Sequence, residues 1–269
     1  MDTDRYRLSS PVSLLWRPHG ALQVGLDTSL AVLLPGAPDG ADVALRALRT
    51  SRTVTEVAHL APAVPLPWIR EALATLAALG IVTTATDPPA SLPTIMVVGD
   101  GALAHAVAGL LRDEQRAVTV ASMTPHHPRP DELIVLCTDT AEPDRVDVRD
   151  LTASGTTHLI VRAEPERAVV GPFVSAGSGH ACLTCTDLVR RDLDRAWPHL
   201  LAQLCRTRHT ATPQQCAWAA ALASAQVAAW VGGRTPEASG TTWEMDARTG
   251  QIGVRRWPRH PDCGCALTR

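Results

Sequence analysis

Apolar residues along this chain change their period several times, and each change marks an element. Leu14–Trp16, Ala21–Leu26 and Leu30–Leu34 are short apolar runs, punctuated by Pro18-His19-Gly20 and Asp27-Thr28-Ser29. Short runs with turn residues between them predict a three-stranded meander. The period then lengthens. Val43, Leu45 and Leu48 give Ala41–Thr50 a helical reading. Thr53 and Glu56 stand three apart before an apolar run, the signature of a capping box that opens a helix over Val54–Leu60. A third helix starts at Pro67, a residue suited to the first helical position, and runs through Trp68, Ile69, Leu73, Leu76 and Leu79 to Gly80. Ile81–Thr83 follows as a wing-like strand.

After Thr86–Pro93, a linker by composition, the pattern changes again. Thr94–Val98, Val118–Val120, Leu133–Thr138, His158–Arg162 and Ala168–Phe173 are apolar runs of strand length. Near-continuous runs of this kind predict buried strands, several of them parallel. Helices fall between them at Leu103–Leu111 and Val146–Leu151. Pro213 opens a long helix, alanine-rich almost all round and stopped by Gly232-Gly233. It falls short of the roughly 20 strongly apolar residues of a membrane span. Thr241–Met245 and Gln251–Trp257 predict a closing hairpin. The fold expected is an α+β N-terminal module, a winged helix-turn-helix over residues 1–88, followed by a Rossmann-like α/β domain over residues 89–269.

Composition narrows the function. All 25 basic residues are arginine, against 27 acidic ones, for a net charge of −2. That balance makes no electrostatic case for nucleic acid or an anionic membrane. A winged helix suggests DNA, yet residues 1–90 carry seven arginines and eight acids, a net of 7 − 8 = −1. The third helix offers only Arg70, beside Glu71. A DNA reader needs a basic face, so DNA binding is not expected and plain packing remains the bland alternative. The N-terminal residues lack the apolar core of a signal peptide. Seven cysteines in such a chain point to thiols or metal ligands and to the cytoplasm.

Two cysteine pairs carry the chemistry. Cys182 and Cys185 form Cys-x-x-Cys; Cys263 and Cys265 close the chain as Cys-Gly-Cys. Zinc takes four soft ligands at tetrahedral corners, and two close pairs far apart in sequence can supply them. Two unrelated thiol pairs, or a redox Cys-x-x-Cys, are the competing readings. Cys205, in a polar stretch, and Cys216, opening the long helix, are not read as ligands. Nor are His126 and His127, adjacent in a loop. The mixed-charge run Arg190, Arg191, Asp192, Asp194 and Arg195 reads as a solvated helix face.

The same stretch carries a resemblance. GPFV, a small-residue turn, ACLTC and DL-x-RRD-x-D-x-x-WP resemble the ThiF-like component of azole-peptide biosynthesis, as does the ending HPDCGC. The resemblance implies a non-catalytic scaffold that binds a precursor's leader peptide and presents it to a YcaO-type ATP-dependent cyclodehydratase. Within it, the leader adds a strand to the small N-terminal sheet. Trp68, Arg70 and Arg49 are the candidate contacts. The reading admits a homodimer and includes neither nucleic acid nor a membrane.

The alternative is a ThiF-like adenylating or sulfur-transfer enzyme, or a regulatory module of the same fold. Gly99 and Gly101 with Ala104 form a Rossmann-type loop. Leu133–Asp139 resembles the strand whose terminal Asp helps hold Mg-ATP in adenylating relatives. Adenylation needs cations on the phosphates. The segment Ala121–Glu132 has one arginine and no lysine, and Ala121 and Ser122 stand where a ribose-binding acid belongs. Gly99, Gly101 and Asp139 are therefore expected to be a degenerate nucleotide loop, with zinc as the cofactor and ATP not used by this chain.

Overall fold

The computed structural model describes residues 4–9, 11–27, 31–85, 93–125, 128–129 and 132–266. His126, His127, Leu30 and the expected linker as far as Leu92 lie outside them. The chain divides into two compact units, Met1–Ser91 and Leu92–Arg269.

The first unit holds β1 (Arg5–Leu8), β2 (Leu14–Arg17), β3 (Ala21–Val24), β4 (Val32–Leu34), α1 (Ala41–Ala47), β5 (Arg52–Thr53), α2 (Val54–Leu60), α3 (Leu66–Ala78) and β6 (Val82–Ala85). The meander is present as an antiparallel sheet in the order β2-β3-β4, with Leu22 and Leu34 buried on one face. The capping box of α2 forms as its spacing predicts: Glu56 N donates to Thr53 Oγ1, and Thr53 N donates to the Glu56 carboxylate. Gly80, at φ 69°, ends α3, and Ile81 N donates back to Leu76 O. Ile69, Leu73 and Leu76 of α3 pack with Leu45, Leu48, Val54 and Val57 into one core.

The sequence reading missed β1. The expected wing strand pairs with it, not with the meander, so a second sheet forms in the order β5-β1-β6. Arg-Tyr-Arg-Leu alternates polar and apolar residues over four positions only, and its partners lie more than 40 residues away in sequence, so the local pattern is too short to announce it.

The second unit continues with β7 (Ile95–Val98), α4 (Ala102–Asp113), β8 (Val118–Ala121), β9 (Leu133–Thr138), α5 (Arg145–Ala153), β10 (Thr157–Ala163), β11 (Arg167–Val174), α6 (Leu183–Leu193), α7 (Trp197–Leu204), α8 (Pro213–Val231), β12 (Thr241–Asp246) and β13 (Ile252–Arg256). Its strands form one seven-stranded sheet in the order β13-β12-β11-β10-β9-β7-β8. β7, β8, β9 and β10 run parallel; β11, β12 and β13 extend the sheet antiparallel.

Period-2 alternation sorts the central strands between two layers. Ile95, Val97, Leu133, Val135, Leu159 and Val161 face α4 and α8. Val98, Ile134, Leu136 and Ile160 face Val148 and Leu151 of α5 and Leu183 of α6. Helix α8 buries Ala219, Ala220, Ala223 and Val227, which explains its alanine richness: small side chains let it lie close to α4 and β11. α7 was not anticipated. Among the described residues no helix is long and apolar enough to cross a membrane.

Candidate metal centre

Cys182 stands at the N-cap position of α6 and Cys185 sits in its first turn. A spacing of three places both on one face of a helix. Cys263 and Cys265 come from the opposite end of the unit, around the 3-10 turn Gly264–Ala266. The tail is carried there by specific bonds. Trp257 is buried, its backbone N donating to Gly240 O and its indole Nε1 to Thr242 Oγ1. Asp262 N donates to His260 Nδ1, so Nε2 carries the imidazole proton and donates to Asp192 Oδ2 at 2.8 Å. The tail is thereby tied to the far end of α6.

The four sulfurs lie within 4.8 Å of one another. Cys182 and Cys185 are 3.9 Å apart; Cys182–Cys263 and Cys185–Cys265 are each 3.6 Å. A tetrahedron with Zn–S near ~2.3 Å has S···S edges of about 3.8 Å, so the cluster has the size of a four-thiolate metal site. A disulfide needs about 2.05 Å, and all seven cysteines are free thiols. The four cysteines can hold a metal ion, and the set is compatible with zinc.

Electrostatics favours a cation here. A hydrogen bond from the Cys182 thiol brings Cys185 down to about 4, and that same bond drives Cys182 upward. Burial pushes Cys263 up to about 12. One thiolate is accommodated readily; further thiolates crowded beside it are not, unless a cation is shared among them.

Helix α6 also carries one side of a buried ion network. Arg145 binds Asp187 of α6 through Nε at 2.7 Å and Nη2 at 3.0 Å, and gives Nη2 to Glu142 at 2.7 Å. Glu142, only 3 % exposed in its side chain, also receives Arg190 Nη1 at 2.9 Å and lies 3.2 Å from Arg162 Nη2. Arg162 pairs in turn with Glu164. The Arg190 guanidinium lies 4.6 Å from the Trp197 ring centroid and 5.0 Å from that of Trp257. Burial pushes the Glu142 carboxyl up, but Arg162, Arg145 and Arg190 outweigh it and hold it down to about 2.

This network corrects the reading of the charge run. Arg191, Asp192 and Asp194 are at the surface, but Arg190 is a half-buried cross-link between α6 and the segment after β9. Sequence reasoning missed Glu142, Arg145, Arg162 and Asp187 altogether. Together with Arg190 their positions span residues 142 to 190, and no sequence motif marks them as one network.

The glycine loop has a different geometry. Gly99 has φ 136°, and a Cβ there would come within 2.5 Å of Cys137 O. A Cβ on Gly101 would run into the Asp139 carboxylate. The space that the glycines leave open is therefore taken by the end of β9. Trp68 is half-buried against the core of the first unit, in the first turn of α3, while Arg70 and Arg49 are exposed.

No family model and no curated protein matches the sequence. Solved structures do match. The heterocyclase TruD aligns over 97 % of this chain with a TM-score of 0.62 at 15 % identity, and a heterocyclase in complex with substrate and cofactor with 0.67 at 18 %. The chain spans only 42 % and 40 % of those two proteins. E. coli MccB aligns over 97 % of this chain and 96 % of its own, with a TM-score of 0.55 at 12 % identity; MccB is also seen with ATP. A component of the E. coli microcin synthetase McbBCD complex covers 97 % of this chain and all of its own, at 0.51 and 12 %. The protein has the fold shared by these heterocyclase and microcin-synthetase components.

Proposed function

We propose that this chain is a leader-peptide-binding scaffold of azole-peptide biosynthesis. It presents a ribosomal precursor to a YcaO-type cyclodehydratase, which uses ATP to convert Cys, Ser or Thr of the core into azolines. The chain itself contributes recruitment, not chemistry. The observation that carries this reading is the alignment of nearly the whole chain with a heterocyclase holding substrate and cofactor. The McbBCD alignment supports a partner: there, a chain of matching length works inside a multiprotein complex. Our second unit acts as a degenerate Rossmann-like domain stapled by zinc at Cys182, Cys185, Cys263 and Cys265.

The leader binds the first unit, a winged helix-turn-helix, as an added strand on the β2-β3-β4 sheet. β2 is an end strand of that sheet with three of its four residues exposed, including Leu15 at 42 % and Trp16 at 46 %. Exposed apolar side chains on an open edge are what an incoming strand covers. Trp68 at the start of α3 supplies an aromatic anchor, and Arg70 and Arg49 favour acidic leader residues. Titrating the full chain with a labelled leader peptide from the same gene neighbourhood tests this. Binding should weaken at least tenfold in Trp16→Asp, and less in Arg49→Glu. Undiminished binding in both Trp16→Asp and Trp68→Ala would mean the peptide sits elsewhere.

A second reading, ATP-dependent adenylation, is favoured by the alignment with MccB, which is solved with ATP. Against it stand the absence of lysine and the Asp139 carboxylate resting on Gly101.

A further inference from the structure

β13 is the last strand of the seven-stranded sheet, and all five of its residues are exposed. Its alternation is informative. Ile252, Val254 and Arg256 point to one face; Gly253 and Arg255 point to the other. On the second face Arg255 is already engaged, 3.5 Å from Glu244 and 5.3 Å from the Trp257 ring centroid. On the first face Val254 lies opposite Trp243 and Arg256 opposite Thr241. Ile252 is 56 % exposed and Val254 52 %. Beyond them opens a groove of 1050 Å³, lined by Trp243, Val254, Arg256, Arg259, His180 and Glu237 among others.

The groove's lining brings the apolar Trp243, Val254 and Trp257 together with the basic Arg256 and Arg259. Among the described residues Glu237 is the only acid lining it. Among the described residues neither Arg256 nor Arg259 makes an ion pair. A strand edge presents unpaired N–H and C=O groups, and proteins guard such edges with charge. Guarding by arginines has a sign: it repels a second copy of the same basic edge and admits a strand of opposite charge.

We infer that the β13 edge and its groove form a docking site for an extended acidic segment of another protein. The segment adds as an eighth strand. Its groove-facing residues alternate with solvent-facing ones, apolar beside Ile252 and Val254 and acidic beside Arg256 and Arg259. This site lies in the second unit and does not depend on leader binding in the first.

The test uses the full chain and the peptide Glu-Thr-Val-Thr-Val-Thr-Glu, whose symmetry serves either strand direction, at millimolar concentration. Hydrogen exchange should slow at the amides of residues 252–256, and the binding read from it should fall at least tenfold in Arg256→Glu and weaken as salt is raised. Val254→Pro, which removes an edge donor, should abolish protection. Arg256→Glu lies at an exposed position and keeps the result interpretable if the proline variant unfolds. The inference is overturned if the same peptide with Lys for Glu protects β13 equally, or if the acidic peptide protects other segments instead. It is equally overturned if β13 amides grow protected with protein concentration alone, which would make the edge a self-interface.

Discussion

The four-cysteine cluster and the glycine loop sit in the same unit, and both were marked by short motifs. They differ in what converges. At the cluster, side chains about 80 positions apart in sequence come within 4.8 Å and leave a cation-sized gap between sulfurs. At the loop, glycines remove side chains, but Cys137 O and the Asp139 carboxylate move into the space. Absent side chains make room for a ligand only when the room faces outward. Here the same glycines serve the close approach of α4, β7 and β9. The donors of one motif meet, and the gaps of the other are filled by the protein itself.

The largest effect should come from breaking the first half of this contrast. Cys263→Ser should lose bound zinc and destabilise the chain by about 4 kcal/mol, the linkage expected when free metal exceeds its Kd about a thousandfold. Cys205→Ser, outside the cluster, should keep its metal. Metal analysis alongside denaturant unfolding reads both. Zinc absent from freshly purified parent protein, or retained in full by Cys263→Ser, would remove the contrast.

That contrast was only half legible in the sequence. The cysteine pairs were found because spacings of three and two positions are local, and so were the helix starts at Thr53 and Pro213, where cap and first turn are neighbours. The central strands were found because burial on both faces leaves continuous apolar runs. What escaped was non-local. β1 pairs with segments more than 40 residues away, and α7 exposes an apolar sequence without burying any of its residues. Glu142, Arg145, Arg162, Asp187 and Arg190 look solvated one by one. Their meaning lies in a convergence that only the folded sheet and α6 create.

That convergence sharpens the comparison, because the network anchors the helix that bears Cys182 and Cys185. Glu142→Gln should cost about 3 kcal/mol, since it leaves buried arginines under-compensated. Acid should act through the same group. Its folded value of about 2 lies below the ordinary 4.5. Its contribution is therefore complete above the unfolded value and is lost as pH falls from about 5 towards 2, by roughly 3 kcal/mol in all. Chelated protein should be used, so that acid release of metal does not enter. Unfolding free energies of parent and Glu142→Gln measured from pH 6 to pH 3 should converge. Parallel curves would show that Glu142 is not held ionised by its arginines.

The smallest expected effect concerns the loop, and its smallness is the point. A chain that bound ATP at the glycine loop with a Kd a hundredfold below the added nucleotide would gain about 2.7 kcal/mol, enough to move a melting curve by several degrees. We expect no shift with ATP and magnesium. The phosphates of a nucleotide need cations beside them, and the segment Ala121–Glu132 offers one arginine and no lysine. Asp139→Ala removes the carboxylate but adds no cation, and the chain has no lysine to supply one. It too should leave the melting curve unmoved by ATP. A rise in the parent that disappears in Asp139→Ala would reverse the reading. Asp139 would then hold the nucleotide's magnesium, and the loop would be a nucleotide site.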